Sequence, residues 1–133
     1  MPKKTGSLIV FPYYFDGSSY FPVISLIFFV GEKRIRSQAL VDSGATISIF
    51  GEETANSLGV NIEKGKRIIL GGVGGRIVGY IHEVRIRVAD TEFFCPIVFS
   101  REYLVSFNLL GRQGFFDRFL ITFDEKHKRL SLA

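Results

Sequence analysis

One carboxylate in this chain stands where a carboxylate is costly. Asp42 lies within residues 39–50, ALVDSGATISIF, with Ala39, Leu40 and Val41 before it and Ile47, Ile49 and Phe50 after it. An ionised carboxyl group in apolar surroundings is unstable unless hydrogen bonds or an opposite charge compensate it. The intervening residues can supply the hydrogen bonds. Gly44 permits backbone angles closed to other residues, and Ser43 and Thr46 carry hydroxyl groups. A loop built this way can aim several donors at one carboxylate and hold it ionised. Taken alone, the stretch fits a capped Asx-type turn as readily as a catalytic loop.

The other residue types that do chemistry are poorly placed for it. His82 falls in a strand-like run and His127 in a charged turn, and the two share no metal-ligand spacing. Ser43 lacks the glycines on both sides that a nucleophile elbow needs. Cys95 is the single cysteine, so it forms no intramolecular disulfide, and it reads as a small buried hydrophobe on a strand. No metal and no organic cofactor is expected. The formal charge of +4 could favour acidic partners, yet the basic clusters EKRIR, EKGKR and EKHKR each open with Glu and none is interleaved with aromatics. They read as solvated turns and edge strands, and nucleic acid is not an expected partner.

The elements that must position Asp42 are strands. A chain of 133 residues is expected to fold as one domain, 1–133, and fourteen Phe, five Tyr and no Trp within 47% hydrophobic content suit a β protein. Runs such as PVISLIFFV, KRIRSQALV, RIVGYIHEVRIRV and EFFCPIVF alternate or carry β-branched and aromatic residues at strand length. Turn signals separate them at Asp16, Gly31, Gly71, Ala89 and Asp124. This spacing predicts an all-β sandwich or small closed antiparallel barrel with one or two short helices. The first helix candidate is Glu52–Leu58, ended by Gly59; the second is RQGFFDRF from Arg112. The longest hydrophobic run, YFPVISLIFFV, is too short to cross a bilayer, and the first ten residues lack the features of a secretory signal. No membrane partner is expected, and the predicted setting is cytoplasmic.

Two further motifs follow Asp42 in order. GGVGG spans residues 71–75 and FNLLGRQ spans residues 107–113. With ALVDSGA they resemble the retropepsin-like aspartic proteases, the single-domain relatives of pepsin that include the retroviral enzymes. ALVDSGA resembles the family's active-site loop. GGVGG resembles the tip of its flap, the glycine-rich hairpin that closes over substrate. FNLLGRQ resembles the apolar pair, glycine and arginine that precede its short C-terminal helix. The three motifs cover a little over half of the chain.

The resemblance implies a closed antiparallel barrel of the retropepsin-like type and an aspartic endopeptidase active as a homodimer on peptide or protein substrates. It implies that Asp42 of two subunits forms the catalytic dyad, because peptide hydrolysis of this class needs two carboxylates and the chain offers one in such a loop. Ser43 would lock the two loops across the axis, and Gly44 and Ala45 would line the floor beside the substrate backbone. Gly71, Gly72, Val73, Gly74 and Gly75 would form the flap, Phe107 and Leu109 walls of the side-chain pockets, or core residues. Gly111 would pack beneath the loop, with Arg112 beside it. One departure stands out: the acidic residue that commonly pairs with this arginine in retroviral enzymes is replaced by Thr46 and Ile47. A silent peptide-binding or dimerisation module of the same fold is the alternative reading.

Overall fold

The computed structural model describes residues 3–5, 8–72 and 75–133. In chain order the strands are β1 Lys3–Thr5, β2 Leu8–Pro12, β3 Tyr14–Phe15, β4 Tyr20–Phe21, β5 Val23–Val30, β6 Lys33–Val41 and β7 Ser48–Gly51. Helix α1, Glu52–Leu58, follows, and then β8 Lys66–Gly72, β9 Gly75–Val88, β10 Thr91–Ser100, β11 Leu109–Leu110, β12 Ile121–Asp124 and β13 Arg129–Leu132. The chain is all-β. No helix among the described residues is long and apolar enough to cross a membrane.

Period-two alternation explains the strands. In β5, Ile24, Leu26 and Phe28 turn into the core, while Ser25, Ile27 and Phe29 between them face outward. Phe28 meets Phe50 of β7 edge to face with ring centroids 5.2 Å apart, and Phe50 meets Phe99 of β10 at 6.3 Å. These fully buried rings tie three strands to one centre.

The pairings close a ring. β5 lies between β6 and β9, β9 pairs with β10, β10 with β7, β7 with β11, and β11 with β6. Most pairs are antiparallel, but β10 runs parallel to β7, and β11 runs parallel to β6. The β11–β6 contact arises where the two-residue β11 inserts between β6 and β7, the strands on either side of the Asp42 loop. β8 pairs with the first half of β9 and projects a hairpin from the ring. A second sheet, in the order β1-β2-β13-β12, joins both ends of the chain, and β3 and β4 form a separate hairpin.

The helix α1 forms where expected and ends at Gly59, whose φ is 73° and whose N–H reaches Ala55 O and Asn56 O. RQGFFDRF forms no α-helix. Gly114 has φ +81°, and a Cβ there would fall 2.4 Å from Pro96 Cδ. The backbone therefore turns away at Gly114, and only a single 3₁₀ turn, Phe116–Arg118, follows.

Candidate active site

The Asp42 loop links β6 to β7, and its shape is set by the chain around β11. Asp42 N–H donates to Leu110 O at 3.0 Å, Arg112 N–H to Ala45 O at 2.9 Å and Gln113 N–H to Thr46 O at 2.8 Å. From the other side, Val41 N–H donates to Pro22 O at 2.9 Å. Within the loop, Ala45 N–H closes a turn onto Asp42 O at 3.1 Å, and Gly44 N–H donates to the carboxylate at Oδ1, 2.9 Å. Asp42 is half-buried, and Ser43, Gly44 and Thr46 are exposed. The carboxylate thus has a backbone donor and an open face.

Gly111 lies directly under this loop. A Cβ on it would sit 2.6 Å from the backbone C and O of Ile47, so only glycine fits. Its N–H donates to Oγ of the fully buried Ser48 at 3.0 Å. Asn108 adds a second brace: its Oδ1 accepts Gly51 N–H at 2.9 Å and its Nδ2 donates to Thr54 Oγ1 at 3.2 Å. The exposed Arg112 side chain has no ion pair among the described residues, in keeping with the acid missing at Thr46.

A cleft of about 630 Å³ opens above Asp42, between the loop and the β8–β9 hairpin. Asp42, Gly44 and Ala45 form part of its lining, with Gly71, Gly72 and Gly75 from the hairpin and Leu109 from β11. Ile47, Ile49, Leu70 and Ile77 add apolar walls. Val73 and Gly74 lie outside the described residues. Ser43 and Phe107 are not in the lining. Phe107 instead packs beneath the β3–β4 hairpin, 5.0 Å from Phe21 and 6.3 Å from Tyr14 between ring centroids.

Tyr103, which the sequence did not single out, also lines the cleft. Its hydroxyl donates to Phe107 O at 2.7 Å and so ties the two ends of the 103–107 loop together. Burial, and then the negative charge of Asp42, push its phenol up to about 12. Among the described residues it is also the only one common to this cleft and a second cavity of about 600 Å³. The loop's start is fixed by Arg101, which pairs with Glu52 and Glu63, and by Glu102, whose Oε1 accepts Val78 N–H of β9 at 3.1 Å. Ser100 Oγ adds a 2.6 Å bond to Val78 O, so one arm of the hairpin is held to the cleft wall.

Asp42 is the only carboxylate in the cleft lining among the described residues. The other aspartates bond to neighbours in the sequence: Asp16 accepts Ser18 and Ser19 N–H, Asp90 accepts the Thr91 hydroxyl, Asp117 accepts Gly114 N–H, and Asp124 binds His127 and Arg129. No group of His, Cys, Asp and Glu side chains among the described residues could hold a metal ion. A lone carboxylate can act as base or acid but not as both at once.

The comparisons with known proteins point one way. A family model described as aspartyl protease matches residues 29–113. Protein DDI1 homolog 1 of Caenorhabditis elegans is 35% identical over 85 residues, covering 58% of this chain. The match spans about a fifth of that relative's length, 22%. The crystal structure of a retropepsin-like aspartic protease from Rickettsia conorii superposes with a TM-score of 0.68 at 22% identity, covering 97% of this chain and 100% of that one, and so shares the fold.

Proposed function

The chain belongs to the aspartyl protease family, and from that premise we propose that it is an endopeptidase whose active form is a homodimer, with Asp42 of each copy forming one dyad on the twofold axis. One observation carries the reading: among the described residues the cleft holds a single carboxylate, Asp42, with a backbone donor on one oxygen and an open face. A chemistry that needs two such groups is completed by a second copy through an isologous contact. Carboxylates about 3 Å apart do not both ionise easily, so such a pair carries one shared proton. The ionised member takes a proton from a bound water as that water attacks the scissile carbonyl. The protonated member donates to the carbonyl oxygen, and the amine leaves after protonation.

The surrounding residues fit this role. Gly44 and Ala45 let a peptide backbone approach the floor, and the β8–β9 hairpin covers it with Gly71, Gly72 and Gly75. Ser43 is exposed and outside the lining, which supports a contact with the partner's loop. Leu70, Ile77, Ile49 and Leu109 favour extended peptides with apolar side chains at the cleavage point.

The test is cleavage of a mixed peptide library by the wild type and by Asp42→Asn, with sedimentation across concentration on the same samples. The expected result is cleavage by the wild type alone and a dimer that forms with rising concentration. Equal cleavage by both proteins, or wild-type cleavage by a monomer, overturns the reading. A dimer that binds peptides and cuts none of them identifies a silent binding module.

A further inference from the structure

Two basic runs that stand far apart in the sequence, EKRIR at residues 32–36 and VRIR at residues 84–87, come together on one outward face of the sheet. The register across β6, β5, β9 and β10 sets Arg36, Ile27, Arg87 and Glu92 in one row, and Arg34, Phe29, Arg85 and Phe94 in the next. Phe28 and Ile86, which alternate with these residues along β5 and β9, are fully buried, so the two rows face away from the core. Within the rows four guanidinium groups stand against one carboxylate.

Two of the four arginines rest on one ring. Arg85 lies over the Phe29 ring at 4.6 Å and Arg34 at 5.5 Å, which lays both groups against the aromatic face. Only Arg85 is in an ion pair among the described residues, with Glu92. Arg36 and Arg87 line a small cavity of about 80 Å³ with Ser25, and the buried Nε of Arg87 has no hydrogen-bond partner. A donor buried without an acceptor is costly, and an incoming anion would relieve it. At the other end, Phe94 is 62% exposed beside a groove of about 360 Å³ that also holds Glu83.

We propose that this face docks an extended acidic peptide segment, with carboxylates on alternate residues over the arginine rows and an apolar side chain in the groove beside Phe94. Arg34 and Arg36, and likewise Arg85 and Arg87, are two strand positions apart, a spacing of about 7 Å. An extended peptide presents alternate side chains at that same period. Guanidinium groups meet carboxylates in bidentate pairs, a geometry that the planar groups on Phe29 favour. Glu83 repels acid from the groove and so fixes where the acidic stretch ends. Single-stranded nucleic acid suits the face less well, because such binding uses successive open aromatic rings, and here two guanidinium groups cover Phe29. The inference rests on this face alone and is independent of the reading of Asp42.

The experiment is fluorescence anisotropy with the full chain at low salt, using a labelled peptide of alternating Glu and Thr and its Gln counterpart. The Glu peptide is expected to bind, and the Gln peptide to bind about tenfold more weakly or worse. The double variant Arg36→Gln, Arg87→Gln is expected to lose about tenfold for the Glu peptide while its melting temperature holds. Arg34→Gln provides a second variant if the double one melts early. Asp42→Asn is expected to leave this binding intact, so loss of cleavage and loss of docking are separable. Equal binding of the two peptides, indifference to the arginine variants, or tighter binding of a deoxythymidine oligonucleotide or of anionic phospholipid vesicles overturns the proposal.

Discussion

Asp42 brings little of its environment with it. Its N–H is held by a carbonyl sixty-eight positions later, at Leu110, and its charge is felt by Tyr103, a residue no spacing rule would connect to it. Tyr103 and Tyr13 are both pushed up to about 12, Tyr103 by burial and then by Asp42, Tyr13 by burial and then by its bond to Glu125. Unfolding returns each to its ordinary value of 10.0, so the unfolded chain releases these protons first as pH rises. Stability from these groups is therefore complete below about pH 10 and is lost progressively towards about pH 12. Two of the five tyrosines are expected to ionise late in an alkaline absorbance titration, and Tyr103→Phe is expected to remove one of the late steps. The sequence made Asp42 legible because a carboxylate between apolar runs demands compensation. It left Tyr103 and Ser48 unmarked, because a ring over a cleft and a hydroxyl under a loop depend on chain crossings that local pattern does not encode.

At the scale of elements, the strands were readable from their alternation and helix α1 from its closing glycine. The insertion of β11 between β6 and β7 was not readable, since two residues carry no periodicity and a parallel contact leaves no turn signal between its strands. The second expected helix failed for a similar reason: what turns the backbone at Gly114 is its close approach to Pro96, a tertiary fact. The β7–β11 junction offers a direct check. Ser48→Ala leaves Gly111 N–H buried without its acceptor, and the expected loss is about 1–3 kcal/mol in chemical denaturation. Gly111→Ala is expected to cost more, because its new methyl would occupy the space of the Ile47 carbonyl. If the Ser48 variant denatured like the wild type, Ser48 would not be bracing the junction.

For the molecule as a whole, charge and topology matter more than any one contact. A formal charge of +4 spread over the sequence looked diffuse, and the register across β5 gathers four of its arginines onto one face. The ring also has a kinetic side. Its closing contacts join residues 48–51 to 97–100 and residues 40–41 to 109–110, pairs distant along the chain. Such topology belongs to the slow end of small-domain folding, roughly milliseconds to seconds, and refolding monitored by tyrosine fluorescence is expected to fall there. The same ordering carries a consequence for synthesis. The carbonyl that accepts Asp42 N–H and the amides that donate to the loop's carbonyls at Ala45 and Thr46 all come from residues 110–113, so a ribosome that has made the Asp42 loop has not yet made these partners. Until residues 110–113 have been made, the carboxylate lacks the partners that shape its loop, and whatever it is built to do waits on a segment sixty-eight or more positions downstream.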